Sequence, residues 1–296
     1  MTDMKTVGED GELHMEKDIK NCPVCNIKGK FVHKGVRDNR DIDVYMCTEC
    51  GTKYLNKICA IDYANDEMLG KQNIDNWLKH CYKDDVRRYE MTKSICKGKK
   101  VLDFGCGYGG YLQLIKNDAS IAEGVELGAI ERNYLNSRNI KTFEKIELTK
   151  KKYDVITLFH CFEHLTNPDK WLLKFNDFLT NNGLLVIEVP NGNDALLELY
   201  KSNQFADFTY WSAHLTLFSL DGLKKLIDQS GKYAIINEGQ VQRYSLGNTL
   251  YWLSNGKPGG QNVYKMMNDC ELNKKYEHVL AELGMCDTLF FVIKKK

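Results

Sequence analysis

A glycine-rich stretch at residues 105–110 constrains the fold of this 296-residue chain more than any other feature. It follows an apolar run, Val101-Leu102-Asp103-Phe104, and precedes a segment with helical spacing. Glycines at such a junction let the backbone turn tightly and let a ligand approach it closely. The stretch therefore predicts a buried strand, a ligand-binding turn and a helix in succession.

The same alternation of strand and helix continues through the rest of the chain. Apolar, strand-like runs occur at 121–127, 140–143, 153–159, 183–190, 233–237 and 288–293. Helical patterns fall between most of them, which predicts an α/β fold with a parallel sheet of about seven strands. The connection at about 240–286 is unusually long for such a fold and is typical of a functional insertion.

Two Cys-x-x-Cys pairs precede this domain, Cys22 with Cys25 and Cys47 with Cys50. Four thiolates at this spacing favour a closed tetrahedral shell around Zn²⁺, which suits a structural site because no position is left for water or substrate. Four unrelated buried cysteines are the alternative. A redox role is disfavoured, since neither pair lies between a core strand and a helix.

These patterns divide the chain into four parts. We predict a disordered leader at 1–18, a zinc ribbon at 19–58, a helical linker at 59–97 and an α/β domain at 98–296 that contains the insertion.

Charge and cysteine content limit the partners and the compartment of the protein. A formal net charge of +1 gives no overall attraction to nucleic acid, and no apolar run is long enough to span a membrane. The polar N-terminal stretch lacks the pattern of a secretory signal, and the eleven cysteines are odd in number, so a reducing compartment is favoured. We therefore expect a cytoplasmic protein with no nucleic-acid partner and no membrane span.

The glycine stretch by itself fits two classes of cofactor. Gly105, Gly107 and Gly110 satisfy the G-x-G-x-x-G pattern of dinucleotide sites, and Glu126 follows at the distance of a ribose-binding carboxylate. An NAD-dependent oxidoreductase is therefore one interpretation. Asp103 favours another, because it would put an anion near the helix N-terminus that a pyrophosphate needs, whereas S-adenosylmethionine carries a positive sulfonium and ammonium.

The motifs together resemble those of the class I S-adenosylmethionine-dependent methyltransferases. Residues 101–110 (VLDFGCGYGG) are similar to the first motif of that family, 124–127 (GVEL) to the second, and 153–165 to the fourth strand with its EHL turn. The resemblance covers about 99–231 and implies a Rossmann-like seven-stranded methyltransferase sheet. It implies that Glu126 binds the ribose hydroxyls of S-adenosylmethionine. The implied cofactor residues are Asp103, Phe104, Gly105, Gly107, Gly109, Glu126, Leu127, Phe159 and His160.

Residues 160–164, His-Cys-Phe-Glu-His, match the H-x-x-E-H string of a class of zinc peptidases. That motif requires a helix interior, but here it follows a strand-like run. Some relatives with an ExxEH string at this place bind magnesium. This chain has His160 instead of the first glutamate, which disfavours a magnesium site here. We expect Glu163 and His164 to brace the end of the strand.

The candidate catalytic residues are His214 and His160. His214 lies in residues 211–219 (WSAHLTLFS), which resemble the segment after the fifth strand in sugar-directed family members. A neutral imidazole there could take a proton from an acceptor hydroxyl. The residues predicted to line the acceptor pocket are Tyr210, His214, Arg243 and Tyr244, with Arg243 pairing a phosphate of the acceptor.

A zinc ribbon followed by this domain resembles bacterial enzymes that methylate nucleotide-linked sugars, and residues 242–260 resemble the insertion of surface-polysaccharide members. The resemblance implies a small-molecule acceptor, either a nucleotide sugar or a sugar phosphate, and O-methylation is preferred over C-methylation. A non-catalytic zinc-ribbon binding protein that retains the fold is a third class to be tested beside the oxidoreductase.

Overall fold

The computed structural model describes residues 6–7, 13–14, 17–19, 21–58 and 73–296. The strands are β1 (Thr6–Val7), β2 (Leu13–His14), β3 (Lys17–Asp18), β4 (Lys30–His33), β5 (Val44–Met46), β6 (Lys53–Leu55), β7 (Lys57–Ile58), β8 (Lys100–Phe104), β9 (Ile121–Val125), β10 (Thr142–Phe143), β11 (Tyr153–Phe159), β12 (Leu179–Pro190), β13 (Thr216–Leu217), β14 (Tyr233–Val241) and β15 (Thr288–Lys295). The α-helices are α1 (Ile74–Cys96), α2 (Gly110–Ile115), α3 (Ala129–Ser137), α4 (Pro168–Phe178), α5 (Ala195–Glu198), α6 (Asn203–Thr209), α7 (Leu220–Ser230), α8 (Leu246–Asn255), α9 (Gly260–Val263) and α10 (Cys270–Glu282).

The central sheet has seven strands in the order β10-β9-β8-β11-β12-β15-β14, which confirms the predicted α/β architecture. The first five strands of this order are parallel to their neighbours. β15 differs from the parallel prediction, because it runs antiparallel to both β12 and β14. The last residue of β14, Val241, pairs with the first residue of β15, Thr288. The chain therefore re-enters the sheet at the same end of the strands at which it left, and β15 must run in the opposite direction to β14.

The strands of this sheet are buried on both faces, as expected of parallel strands covered by helices. Val101 and Leu102 of β8 are inaccessible to solvent, and so are Val186 and Ile187 of β12. Because both faces are covered, these strands are continuous apolar runs rather than alternating ones. Among the described helices, none combines the length and the apolar character that a membrane span requires.

The cysteine-containing segment is joined to the large domain through a shared sheet. β4, β5 and β6 form an antiparallel sheet whose fourth strand is β13, with Tyr54 opposite Thr216. Lys53 beside it is almost fully buried, and its Nζ lies 2.7 Å from Glu198 Oε1. The ribbon is thus packed into the large domain by main-chain pairing and by a buried ion pair.

The predicted domain boundaries fall partly outside the described residues. Most of the predicted leader, 1–18, lies outside them, although β1 pairs with β2 and β3 pairs with β7 of the ribbon. Of the predicted linker, 59–72 also lies outside them, and α1 occupies nearly all of the remainder. The predicted insertion at about 240–286 starts within β14 and contains α8, α9 and α10.

A buried carboxylate joins α1 to the sheet. Glu188 of β12 has no solvent exposure, and its side chain accepts hydrogen bonds from Arg87 Nη1 at 2.8 Å, Arg87 Nη2 at 3.0 Å and Arg88 Nε at 2.8 Å. Burial would raise the pKa of Glu188, but Arg88 and Arg87 outweigh it and hold the pKa at about 2. The carboxylate therefore stays ionised and fixes α1 across the carboxyl ends of the strands.

We expect Glu188→Ala to lower the free energy of unfolding by about 3–5 kcal/mol, because it leaves two guanidinium groups without their buried counter-ion. Urea unfolding at neutral pH, followed by circular dichroism, measures this change. Glu90→Ala is the control, since Glu90 forms an exposed pair with Lys93 on the same helix. A loss no larger than that of the control would contradict the assignment.

The contribution of Glu188 should also depend on pH in a defined direction. Its folded-state pKa is depressed below the unfolded value of about 4.3, so the stabilisation is complete above that pH and is lost as pH falls toward about 2. The difference in unfolding free energy between the wild type and Glu188→Ala should therefore narrow over this window. A constant difference would show that the charge of Glu188 is not its source.

Candidate functional site

The four predicted zinc ligands come together in the ribbon. The Sγ atoms of Cys22, Cys25, Cys47 and Cys50 all lie within 4.8 Å of one another. Cys22 Sγ is 3.8 Å from Cys50 Sγ, and the backbone N–H groups of Val24 and Cys25 point at Cys22 Sγ from 3.4 and 3.5 Å. Four converging sulfurs with no other ligand type fit a closed tetrahedral Zn²⁺ site.

A cavity of about 1330 Å³ lies at the carboxyl ends of the central strands. Open α/β sheets bind their ligands at this edge. The glycine loop, Glu126, residues of α1 and the histidines His160, His164 and His214 all line the cavity. The volume exceeds the usual range for one small ligand and leaves room for a cofactor and an acceptor together.

The glycine loop presents its backbone to the cavity. Gly107 and Gly109 have φ angles of 50° and 66°, a left-handed conformation that a side chain disfavours. A Cβ at Gly109 would collide with Leu135, whereas no atom of the described residues lies within 4 Å of the corresponding position at Gly107. The loop is therefore closed on its protein side and open at Gly107, as a ligand that approaches the backbone requires.

Glu126 is held at this loop by main-chain donors. Gly107 N donates to Oε2 at 2.8 Å, and Gly128 N donates to Oε1 at 2.9 Å. Burial raises the pKa of Glu126, and the two N–H groups oppose that shift. A carboxylate can accept about four hydrogen bonds, so these contacts fix Glu126 and leave lone pairs for the hydroxyl groups of a ligand.

The other predicted cofactor residues separate into two groups. Phe104, Leu127 and Phe159 line the cavity together with the glycines. Asp103 does not, because its side chain is buried below the loop and accepts a hydrogen bond from Thr157 Oγ1 at 2.7 Å. Burial raises the pKa of Asp103 to about 7, so it is a weaker source of negative charge than the sequence predicts.

A second acidic residue at the loop was missed by the sequence analysis. Asp85 of α1 lines the cavity, and a Cβ added at Gly110 would collide with its carboxylate. Burial raises the pKa of Asp85 to about 6, which leaves it largely ionised at neutral pH. The only sequence signal was the run of charges at 84–88 inside an otherwise amphipathic helix.

His160 lines the cavity, but its ring is already engaged. Arg243 Nη1 donates to His160 Nε2 at 2.8 Å; a guanidinium can only donate, so Nε2 carries the lone pair and Nδ1 the proton. Glu163 Oε1 lies 3.4 Å from Nδ1, and Glu188 Oε1 lies 3.4 Å from Nε2. Burial, reinforced by Arg243, holds the pKa of His160 well below its usual range.

The predicted acceptor residues are only partly brought together. His214, Arg243 and Tyr244 line the cavity, but Tyr210 does not: it is 2% exposed and packs against His33 of the ribbon, with ring centroids 5.1 Å apart. The predicted role of Tyr210 is corrected because the segment before β13 packs against the ribbon and buries this side chain.

Arg243, which the sequence predicts to contact a phosphate of the acceptor, has a partner within the protein. Its Nη2 and Nε donate to Asp84 Oδ2 at 2.6 and 3.1 Å, so the guanidinium already has a carboxylate partner. A phosphate would have to displace this pair. Arg243 therefore ties the start of the 242–287 connection to α1.

Glu163, His164 and His214 form a compact group in the lining of the same cavity. His164 Nδ1 donates to the Ala213 carbonyl at 2.8 Å, which joins the turn after β11 to the segment before β13, in the manner of the predicted brace. Burial raises the pKa of Glu163 to about 8 and holds that of His214 well below its usual range. Among the described residues, neither carboxylate oxygen of Glu163 accepts a hydrogen bond, and His214 Nδ1 makes none.

The curated relatives of this chain match it over only part of their own length. An uncharacterized protein of Methanocaldococcus jannaschii is 29% identical over 148 residues, which cover 49% of this chain and 62% of that protein. A protein of Glaesserella parasuis named ubiquinone biosynthesis O-methyltransferase is 30% identical over 109 residues, 32% of this chain and 46% of that one. The matched regions thus span roughly half of these relatives' lengths.

Among solved structures, an S-adenosylmethionine-dependent methyltransferase from Mesorhizobium loti aligns with a TM-score of 0.49 at 11% identity, covering 73% of this chain and 99% of that one. A plantazolicin methyltransferase aligns with a TM-score of 0.48 at 14% identity, covering 79% and 95%. The family model described as "Methyltransferase domain" matches residues 46–234, which is more than half of the chain. The chain therefore belongs to the methyltransferase domain family and has the Rossmann-like fold of class I S-adenosylmethionine-dependent methyltransferases.

Proposed function

We propose that this protein transfers a methyl group from S-adenosylmethionine to a hydroxyl group of a small molecule. The observation that carries the proposal is the pair of acidic side chains at the open glycine loop. Glu126 is fixed at Gly107, and the carboxylate of Asp85 lies against Gly110. This arrangement suits a ligand that brings hydroxyl groups and positive charge to the loop.

The same arrangement disfavours the NAD-dependent oxidoreductase. The pyrophosphate of a dinucleotide binds at a helix N-terminus that must be free of other anions. Gly110 is the first residue of α2, and Asp85 occupies the space beside it. Repulsion between that carboxylate and a pyrophosphate would oppose binding, whereas the ammonium and sulfonium groups of S-adenosylmethionine would be attracted.

Methyl transfer places modest demands on the residues of this chain. S-adenosylmethionine supplies a methyl carbon activated by its sulfonium, so that a carbon–oxygen bond forms as the carbon–sulfur bond breaks. The residues of the cavity must hold the two reactants in line and activate the acceptor hydroxyl toward loss of its proton. We assign the activation to His214, because Nε2 of His160 is engaged by Arg243 whereas Nδ1 of His214 has no hydrogen bond to any described residue.

For the acceptor we propose a nucleotide-linked sugar or a surface-polysaccharide precursor. Its support is the sequence resemblance to sugar-directed family members at 211–219 and 242–260. Arg243 is paired with Asp84, so the proposal no longer depends on Arg243 as a phosphate ligand. Because some relatives are named ubiquinone biosynthesis O-methyltransferase, ubiquinone precursors and phenols should be compared as acceptors.

We also propose that the ribbon holds one structural Zn²⁺ through Cys22, Cys25, Cys47 and Cys50, supported by the convergence of their four Sγ atoms. A cytoplasmic location is proposed with it, because a reducing compartment keeps such thiols available to a metal.

Two measurements separate the function classes. Calorimetry should detect S-adenosylmethionine and S-adenosylhomocysteine binding but no NADH binding. Formation of S-adenosylhomocysteine should then be screened against nucleotide sugars, polysaccharide precursors and phenols. Preferential binding of NADH would favour the oxidoreductase, and cofactor binding without turnover on any acceptor would favour a non-catalytic binding protein.

We expect Glu126→Gln to weaken S-adenosylhomocysteine binding by roughly tenfold to a hundredfold, the effect of losing about 1.5–3 kcal/mol of charge-assisted hydrogen bonding. Titration calorimetry measures the change. Glu282→Gln, on the exposed face of α10, is the matched control and should bind normally. Wild-type affinity in Glu126→Gln would remove Glu126 from the cofactor site.

His214→Ala should lose about 10²–10⁴ in turnover while it retains S-adenosylhomocysteine affinity, because His214 lines the cavity and is assigned to the acceptor. The measurement is S-adenosylhomocysteine formation with the acceptor found in the screen. His278→Ala, an exposed histidine of α10, is the control. Normal turnover by His214→Ala would disprove this assignment and leave His160 as the next candidate.

Cys47→Ser should lower the zinc content by one ion per chain and lower the melting temperature, because the ribbon shares a sheet with β13. Metal analysis by mass spectrometry and thermal unfolding are the readouts. Cys270→Ser, at an exposed cysteine, should change neither quantity. Unchanged zinc content in Cys47→Ser would contradict the four-cysteine site.

A further inference from the structure

Three side chains with metal-ligating atoms converge in the lining of the cavity. Glu163 and His164 belong to the turn after β11, and His214 belongs to the segment that leads into β13. One ligand atom from each lies within 4.8 Å of the other two. This distance is within reach of one ion, since metal bonds of about 2.0–2.2 Å require only small side-chain movements.

For three buried polar atoms of this group, the described part of the chain supplies no hydrogen-bond partner. Both carboxylate oxygens of Glu163 and Nδ1 of His214 are inaccessible to solvent and make no hydrogen bond. Glu163 as a whole has no exposed surface. Nδ1 of His160 lies 3.4 Å from Glu163 Oε1 but forms no hydrogen bond with it. Because a buried carboxylate without a hydrogen bond costs several kcal/mol, a bound cation would stabilise this arrangement.

Protonation of Glu163 would not remove the difficulty. A neutral carboxyl group still has an O–H that needs an acceptor. His164 Nε2 carries a lone pair, but it is 3.8 Å from Glu163 Oε1, which is too long for a hydrogen bond. On the other side, Nδ1 of His160 carries a proton because Nε2 accepts from Arg243, so it cannot accept a second one.

The histidines are oriented as metal ligands usually are. His164 Nδ1 is 2.8 Å from the Ala213 carbonyl, which can only accept, so the proton is on Nδ1 and the lone pair is on Nε2. A ligating imidazole almost always donates its other N–H to a carbonyl or a carboxylate in this way. The backbone contact thus sets the tautomer that directs Nε2 toward Glu163.

We propose that Glu163, His164 and His214 bind a divalent first-row transition-metal ion, separate from the zinc of the ribbon. Two imidazoles with one carboxylate favour such an ion over magnesium or calcium, which prefer oxygen ligands only. All three residues line the cavity, so an ion held by three protein ligands keeps an open position on its cavity side.

An ion at this position would also have a role in catalysis, and this part of the proposal rests on the proposed function. An acceptor hydroxyl that takes the open position would lose its proton to water more readily, because a bound cation lowers the pKa of a coordinated oxygen. His214 then activates the acceptor as a ligand of the ion.

The test is metal binding by the full-length protein with its ribbon zinc in place and with no cofactor or acceptor added. Calorimetric titration with Co²⁺, together with the visible absorption of the cobalt complex, counts the ions bound beyond the ribbon zinc. The wild type should bind one further Co²⁺ per chain. Glu163→Gln and His214→Ala should each weaken that binding by at least about a hundredfold, whereas His278→Ala should bind as the wild type does.

A second readout guards against misfolded variants. Glutamine at position 163 removes a buried, unpartnered carboxylate, so metal-free Glu163→Gln should melt no lower than the metal-free wild type, and only the wild type should be stabilised by added Co²⁺. Failure of the wild type to bind a further ion, or equal binding by folded Glu163→Gln and His214→Ala, would overturn the metal site. Because the assay contains no methyl donor, its failure would leave the proposed methyl transfer intact, and a bound ion without methyl transfer would overturn only the catalytic assignment.

Discussion

Ionisation of Glu188 inside the protein is the constraint on which the arrangement of the cavity depends. A carboxylate with no solvent exposure has to be neutralised locally, and the nearest cations are Arg87 and Arg88 of α1, about a hundred residues earlier in the chain. Their bonds to the end of β12 hold α1 across the carboxyl ends of the strands. The backbone N–H of His160 donates to the Glu188 carbonyl at 2.8 Å, so the same residue also fixes the turn after β11.

Through Glu188, the glycine loop and the turn after β11 both depend on the position of α1. Arg87 also pairs with Asp84, Asp84 pairs with Arg243, and Arg243 donates to His160. Asp85, one residue further along α1, lies over the glycine loop. The position of α1 therefore sets both the charge at the glycine loop and the protonation of the His160 imidazole. The segment that contains His214 has a second support, because β13 follows it and pairs with β6 of the ribbon.

The sequence predicted the features that depend on local pattern. Apolar runs alternating with helices predicted the seven-stranded sheet, paired cysteines predicted that four thiols converge in the ribbon, and the spacing between the glycine loop and Glu126 predicted their meeting. Each of these follows from residues close in sequence or from the common edge of parallel strands.

What the sequence did not predict depends on pairing between distant segments. Nothing near Arg243 indicates that Asp84 neutralises it, and nothing near Tyr210 indicates that the ribbon buries it. Each of these side chains contacts a residue from a distant segment. The sequence around it does not indicate whether that residue or a ligand is its partner. The direction of β15 was missed for a related reason, since alternation predicts strands and helices but does not say at which edge the last connection re-enters the sheet.

The central claim is that the glycine loop and Glu126 hold the methyl donor while the histidine cluster faces the acceptor. A crystal structure of the full-length protein with S-adenosylhomocysteine tests it most directly. The account predicts ribose hydroxyls within hydrogen-bond distance of Glu126 and the sulfur directed toward the end of the cavity that contains His214. A ligand bound elsewhere, or one that places its sulfur away from that end, would contradict the account.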